Sequence, residues 1–187
     1  VDFEWIAAAP AAPIHTTATD MAKFMLAQLN HCQYGAARIL QEASCAAMQQ
    51  MQFAHDPHVN GVGYGFMVSV QNGKTLVWHT GGSAHFTTML ALIPAEHIGF
   101  FISYNTPVAD IYQPLVSFVD HFYPASPTPA VTAPADSAQR IAALRGAYVS
   151  SRVAYQTVQK WPTWYAEGLT VRPGANNTLQ VGARTYT

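Results

Sequence analysis

The sequence predicts an α+β fold, in which an antiparallel sheet is flanked by helices and is followed by a linker and a small β-rich module. Two β-type runs meet at Asn72-Gly73, a dipeptide typical of two-residue hairpins. Apolar residues with helical spacing lie on either side of these runs, at 18–30 and 107–123. Prolines among Ala, Ser and Thr mark a composition change at residue 124.

The first helix is predicted from a local start signal. Thr17-Ala18-Thr19-Asp20 has the form of a capping box, with Thr17 as the N-cap. Met and Phe residues then recur at helical spacing, so residues 18–30 should form an amphipathic helix whose apolar stripe is core. A second helix is expected over Leu40–Met51, followed by a loop at 53–63.

An antiparallel meander is predicted for residues 64–104. Its runs are 64–70, 76–82, 87–93 and 98–104, with turns at Asn72-Gly73 and at Pro94-Ala95-Glu96. A third helix is expected over Pro107–Tyr123. Its apolar stripe consists of Ile111, Leu115, Phe118, Val119 and Phe122.

The remaining chain predicts a linker and a β-rich module. Residues 124–138 are rich in Pro and Ala, which favours a stiff, weakly structured linker after a first domain at 1–123. In 139–187 we expect a short helix and short strands with a turn at Asn176-Asn177. The helix is placed at 138–144 and the strands at 147–149, 155–158, 169–171 and 179–181. Because the chain stops at Thr187 without a closing element, we expect this module to be truncated.

Composition excludes several function classes. Only 10% of the 187 residues are charged, the net charge is -1, and no basic stripe indicates a nucleic-acid partner. No apolar run is long enough to span a bilayer. Neither an initiator Met nor a signal peptide is present, which indicates that Val1 is an internal start. With half of the chain hydrophobic, we expect other polypeptide to cover part of its surface, and we expect self-association through an exposed sheet edge or apolar face.

Two groups of residues could form a metal site or a disulfide. His55-Asp56-Pro57-His58 contains metal-ligating side chains, but Pro57 prevents a helical ligand face and no third ligand lies at a telling spacing. We therefore expect a solvent-exposed polar loop, with no native metal and no cofactor. Cys32 and Cys45 show no metal spacing and are expected to be unpaired small hydrophobes, with a disulfide left open for an oxidising compartment.

The candidate catalytic segment is His79-Thr80-Gly81-Gly82, at the end of one predicted strand. Two adjacent glycines allow the backbone to approach another group closely, and a histidine and a hydroxyl lie beside that backbone. A tight turn with an incidental histidine is the alternative. Ser83 follows the glycines, but the chain contains neither a Gly-x-Ser-x-Gly elbow nor a Ser-x-x-Lys sequence. A complete set for covalent catalysis cannot be assembled from these residues.

Two further segments accompany His79–Gly82 in the chain: the stretch Pro10–Met25, which leads into the first predicted helix, and Gly63-Tyr64-Gly65-Phe66. In this order the three resemble motifs of serine hydrolases of the β-lactamase and penicillin-binding-protein superfamily, in the branch of class C β-lactamases and esterases. Pro10–Met25 resembles a signature before a helix of that family, and Gly63–Phe66 resembles its GYGLG segment. The segment His79–Gly82 resembles the third catalytic motif, which is Lys-Thr-Gly in class C enzymes and often His-x-Gly in esterase-like relatives. Residues 93–105 match the last strands of that fold. The resemblance covers residues 10–123 and implies that they are the C-terminal portion of such a domain.

The resemblance also implies a mechanism. A serine in Ser-x-x-Lys attacks an acyl carbon and a Tyr-x-Asn motif assists proton transfer, and both motifs are absent here. Among the present residues, the Gly82 N–H, one past Gly81, would be an oxyanion donor and Thr80 would bond substrate or the proton relay. His79 replaces the lysine and is a weaker anchor for a carboxylate, which favours ester or amide substrates over β-lactams. We expect the isolated chain to be inactive, or to be a non-catalytic binding or regulatory module on the same scaffold.

The tail has a partial likeness to a module that follows the hydrolase domain in some members. The matching residues are Leu144, Gly146, Tyr148, Ser151, Arg152, Lys160 and 177–181. In such members membrane helices come next, so the resemblance implies a periplasmic or extracytoplasmic location, with membrane attachment of the full-length protein left open. The implied partner is a small-molecule acyl substrate.

Overall fold

The computed structural model describes residues 14–127, 134–149, 157–158, 161, 168–175 and 177–186. The chain forms two compact units, Val1–Thr128 and Pro129–Thr187. The fold is α+β with antiparallel sheets, which confirms the predicted class. None of the described helices is long and apolar enough to cross a lipid bilayer.

In the first unit two of the described helices precede the meander in the sequence and a third follows it. The helices are α1 (Ala18–Leu29), α2 (Glu42–Gln49) and α3 (Gln113–Phe122). The strands are β1 (Gln33–Tyr34), β2 (Ala37–Arg38), β3 (Gly61–Val62), β4 (Met67–Gln71), β5 (Lys74–Gly82), β6 (Thr87–Ile93) and β7 (Ile98–Tyr104). A 3₁₀ turn at Pro94–Glu96 joins the last two strands.

Strands β3 to β7 form one antiparallel sheet in chain order, so the predicted meander is confirmed. The hairpin between β4 and β5 closes at Gln71 opposite Lys74. Asn72 and Gly73 both have positive φ, 50° and 76°, as a two-residue type I′ turn requires. The turn residues therefore set the register of β4 against β5.

Both faces of this sheet are covered, which explains why β6 is apolar along most of its length. One face packs Leu76, Met89 and Ile93 against Leu115 and Val119. The other face packs Val77, Leu90 and Leu92 against Met25 of α1 and Phe66. Alternate residues of a strand point to opposite faces, so neighbouring residues of β5 belong to different clusters.

Helix α1 begins where the sequence predicts. Asp20 N donates to Thr17 Oγ1 at 3.1 Å, as an N-cap requires. The Thr17 hydroxyl in turn donates to the Asp20 carboxylate at 2.9 Å. Farther along, a Cβ added at Gly99 would lie within 2.9 Å of the Met25 side chain, so the glycine lets the helix approach β7 closely.

Helices α2 and α3 are shorter than the sequence predicts. Helix α2 spans Glu42–Gln49 and not Leu40–Met51. Helix α3 begins at Gln113 and not at Pro107. Asp110 Oδ1 accepts from the N–H groups of Tyr112 at 2.9 Å and of Gln113 at 3.2 Å, and this side-chain turn replaces the first helical turns.

The expectation that both cysteines are unpaired is wrong. Cys32 and Cys45 form a disulfide, with their Cα atoms 5.8 Å apart. His31 and Cys32 adopt left-handed φ values of 52° and 61°, which reverse the chain after α1 and bring Cys32 under α2. Both sulfur side chains are buried. Sequence spacing could not decide the pairing because it depends on this reversal.

The second unit contains α4 (Ser137–Ala143) and a sheet whose strands run in the order β11-β10-β9-β8. These strands are β8 (Gly146–Val149), β9 (Gly168–Pro173), β10 (Leu179–Val181) and β11 (Arg184–Tyr186). The sequence did not predict β11. Of the strand expected at 155–158, residues 155 and 156 lie outside the described residues, and Thr157 and Val158 are not in a strand. Part of the expected linker, 128–133, also lies outside them.

Candidate active site

The predicted catalytic segment forms the last four residues of β5, the middle strand of the sheet. On one side it pairs with β6, from His79 opposite Leu90 to Gly82 opposite Thr87. On the other side β4 starts at Met67, which lies opposite Trp78. Within the described residues, the edge of His79–Gly82 that faces away from β6 therefore has no strand partner.

The Gly82 N–H points to this open edge. Ser83 N donates to Phe86 O at 2.8 Å, so the backbone groups of Ser83 face the β6 side. Successive residues of an antiparallel strand direct their backbone groups to alternate sides. Those of Gly82 and Thr80 therefore face the opposite side, where none of the described strands follows.

His79 lies at the same edge and is exposed. Its Nδ1 is 2.6 Å from Thr80 O. Because a carbonyl oxygen can only accept, Nδ1 must carry the proton in this contact, and in neutral imidazole Nε2 is then the acceptor. Nε2 has no hydrogen-bond partner among the described residues, so it is available as a base or an acceptor.

The two glycines differ in their surroundings. A Cβ at Gly81 would lie 2.5 Å from Thr88 Oγ1, whereas a Cβ at Gly82 would meet nothing within 4 Å. Thr88 Oγ1 also donates to Gly81 O at 3.4 Å. Gly81 thus lets β5 and β6 pack closely, while a side chain at Gly82 would point into open space. Sequence analysis missed Thr88, since only the pairing of β5 with β6 brings it here.

The described side chains close to this edge do not provide a nucleophile pair. Ser83 Oγ accepts from the N–H groups of His85 at 3.2 Å and Phe86 at 3.0 Å, which makes it a turn-forming residue. The Thr80 side chain is half-buried and has no hydrogen-bond partner in the described part of the chain. The arrangement offers an outward N–H and an imidazole, which can bind and polarise an acyl group. The Thr80 hydroxyl follows on the next residue, whose side chain points to the other face of the sheet.

The predicted loop at 53–63, which carries His55 and His58, is separate from this edge in sequence. His58 Nδ1 lies 2.9 Å from Asp56 Oδ1, and the ring of His55 packs edge-on against Phe53 at 4.9 Å. The backbone N–H and then the ring of His58 hold the pKa of Asp56 below its ordinary value. Within the described ranges, no three His, Cys, Asp or Glu side chains come together as metal ligands.

In the tail, the described part of the partial motif has a structural role. The Tyr148 hydroxyl donates to Leu144 O at 2.8 Å, which ties β8 to the end of α4. A Cβ added at Gly146 would lie 3.5 Å from the Tyr148 ring, so the glycine lies beside that ring. Ser151, Arg152 and Lys160 lie outside the described residues.

Comparison with known families matches residues 2–113 to the model described as Beta-lactamase. A search of curated proteins found no match. Among solved structures, the octameric penicillin-binding protein homologue from Pyrococcus abyssi is similar over 90% of this chain and 35% of its own, with a TM-score of 0.49 and 15% identity.

Two solved structures of SurE, one of them with D-Leu, are similar as well. The TM-scores are 0.43 and 0.41, with 16% identity in each case, over 87% of this chain and 36% and 37% of theirs. The chain therefore spans little more than a third of the length of these solved structures.

Proposed function

The chain belongs to the Beta-lactamase family, and from this premise we propose that it is the C-terminal part of a serine acyl hydrolase. In this proposal the attacking serine and its Ser-x-x-Lys and Tyr-x-Asn motifs lie on other polypeptide. The present chain contributes His79, Thr80, Gly81 and Gly82 to the acyl-binding edge. The substrate is a small ester, amide or β-lactam.

The open edge of β5 is the observation that supports this proposal best. An oxyanion that develops during acyl transfer needs preorganised N–H donors that are not already bonded. The outward N–H of Gly82 is such a donor, and it lies on a strand held between two packed partners farther back. One such donor contributes about 3 kcal/mol to transition-state stabilisation in acyl-transfer enzymes.

His79 favours esters and amides over substrates with a carboxylate. A lysine ammonium at this position would carry a permanent charge toward a substrate carboxylate. The imidazole is held through Nδ1 by Thr80 O, and its neutral form offers only the Nε2 lone pair at the edge. Replacing His79 by Lys in the full-length protein should therefore raise β-lactam turnover relative to p-nitrophenyl acetate turnover.

The isolated chain is expected to have no acyl-hydrolase activity, because none of its serines is followed by a Lys three residues later. Incubation with nitrocefin and with p-nitrophenyl acetate tests this. Turnover that depends on a serine of this chain, with a trapped acyl-enzyme, would contradict it.

A second candidate is a binding or regulatory module that has kept the scaffold and lost the chemistry. The absence of Ser-x-x-Lys from the chain favours it equally. The sequence upstream of Val1 separates the two candidates, since the hydrolase requires a nucleophile motif there and the binding module does not.

The role of the edge is tested in the full-length protein with Gly82→Pro. Proline removes the N–H and is tolerated where a strand N–H faces no partner. We expect Gly82→Pro to lower kcat about 10²-fold or more, as loss of one oxyanion donor does. His58→Ala, at an exposed histidine of the 53–63 loop, is the matched control and should leave kcat unchanged. Equal activity of Gly82→Pro and the parent would refute the proposed site.

An extracytoplasmic location is part of the proposal. The buried Cys32–Cys45 disulfide supports it, because disulfides persist in oxidising compartments and are rare in the cytosol. Cell fractionation of the full-length protein tests it, and membrane attachment would appear in the same experiment.

Self-association through the outer edge of β7 is also proposed. The backbone groups of Phe86 face β5, so those of Thr87 face its partner Tyr104 on β7. The residue next to Tyr104 on β7, Ser103, therefore directs its N–H away from the sheet. An unpaired strand edge can add a strand from another molecule. Ser103→Pro should reduce the oligomer mass in light scattering while Ser103→Ala should not. A parent chain that stays monomeric at high concentration would contradict this.

A further inference from the structure

One face of the sheet in the second unit carries hydrogen-bond donors beside two glycines. Thr170 and Arg172 lie two residues apart on β9 and therefore share a face. The register places Arg172 opposite Gln180 of β10, so that residue belongs to the same face. Gly182 N donates to Thr170 O at 2.9 Å, which brings the turn after β10 beside them.

These residues line an open depression of about 330 Å³ in the surface, and all of them are exposed to solvent. Its lining residues are Gly168, Leu169, Thr170, Arg172, Gln180 and Gly182. A Cβ at Gly168 would meet nothing within 4 Å, so no side chain of the described residues fills the space there. The volume lies at the lower end of the range for small-molecule sites.

Charge in this part of the chain favours an anion. The unit Pro129–Thr187 contains six Lys and Arg and two Asp and Glu, a net charge of +4. The first unit contains three Lys and Arg and eight Asp and Glu, a net charge of -5. Asp136 pairs with Arg140 at 2.8 Å, and Arg172 forms no ion pair with any described residue.

The geometry points to a binding site on this face for a small molecule that carries an oxyanion, either a carboxylate or a phosphate. The Arg172 guanidinium presents the planar fork that both groups accept through two hydrogen bonds. The Thr170 hydroxyl and the Gln180 amide supply further donors on the same face. This site is independent of the proposed acyl-binding edge, since all of its residues belong to the second unit.

The proposal is tested by titrating the full 187-residue chain with inorganic phosphate and, separately, with acetate, at constant ionic strength. Backbone amide NMR signals report binding. We expect saturable shifts at Thr170 and Gly182, and an affinity about tenfold or more weaker in Arg172→Met, because a charge-assisted pair is lost. Arg184→Met is the matched control. Arg184 pairs with Val181, next to Gln180, and therefore lies on the opposite face.

Saturation by either anion, lost in Arg172→Met and kept in Arg184→Met, supports the site and identifies its preferred group. No saturable shift with either anion would overturn it. Equal weakening in both variants would overturn it too, because it would indicate general attraction to a basic unit. If Arg172→Met does not fold by circular dichroism, Thr170→Val takes its place, and unchanged affinity in that variant counts against the site.

Discussion

The contact between Gly81 and Thr88 gives a prediction that separates the two adjacent glycines. In Gly81→Ala the new methyl group would lie 2.5 Å from Thr88 Oγ1, so the threonine must leave its position. A β-branched side chain has few alternative rotamers, and displacement costs about 1 kcal/mol. Gly82→Ala meets nothing within 4 Å and should raise stability by up to about 0.5 kcal/mol through reduced chain entropy.

A double-mutant cycle isolates the interaction energy between the new methyl group at position 81 and the Thr88 side chain. Gly81→Ala, Thr88→Ala and the double variant are compared with the parent chain by urea unfolding followed by circular dichroism. We expect the two substitutions to couple by about 1 kcal/mol, because alanine at 88 removes the obstructing hydroxyl. Gly82→Ala with Thr88→Ala is the control cycle and should be additive.

A coupling energy below about 0.3 kcal/mol would refute the close approach, since that is the limit of additivity for independent sites. The contact matters for the proposed function because it holds the end of β5 against β6. The pairing of β5 with β6 in turn directs the Gly82 N–H to the open edge.

Three further predictions concern stability. Replacing both Cys32 and Cys45 by Ala should lower the free energy of unfolding by about 3 kcal/mol in urea, the loop entropy expected for a sequence separation of 13. Hydrogen bonding from Lys23, then from the Thr17 hydroxyl, holds the pKa of Asp20 below its ordinary value. The resulting stabilisation is present at pH values above the ordinary pKa and is lost as the pH falls through the lowered pKa. Asp20→Asn should therefore destabilise the chain at about pH 7 and have little effect at about pH 2. Val119→Ala removes a fully buried side chain between α3 and the sheet and should cost about 2 kcal/mol in the same urea assay.

Each of these results has an outcome that would contradict it. An unchanged urea midpoint in the cysteine variant would mean that the disulfide does not constrain the unfolded chain. Equal destabilisation by Asp20→Asn at both pH values would exclude a role for the ionised carboxylate. A loss below about 0.5 kcal/mol in Val119→Ala, the usual range for surface sites, would contradict its burial.

Local chemistry accounts for the elements that were predicted well. The Asn72-Gly73 turn, the Thr17 cap and the alternation within the meander each depend on neighbouring residues, so they can be recognised without the fold. The sequence places the starts of α2 and α3 too early. Apolar residues continue at helical spacing into segments whose backbone is not helical. At α3 the Asp110 side chain competes for the first N–H groups.

The sequence by itself determined the α+β class, the antiparallel meander and the position of His79–Gly82 at the end of a strand. Only the tertiary structure decided that one edge of that segment is unpaired, that Cys32 reaches Cys45, and that Gly81 and Gly82 have different surroundings. Each of these facts depends on which distant residues meet. A strand end becomes a binding edge only through the neighbour that stops short of it, and no pattern along one segment specifies where its neighbour stops.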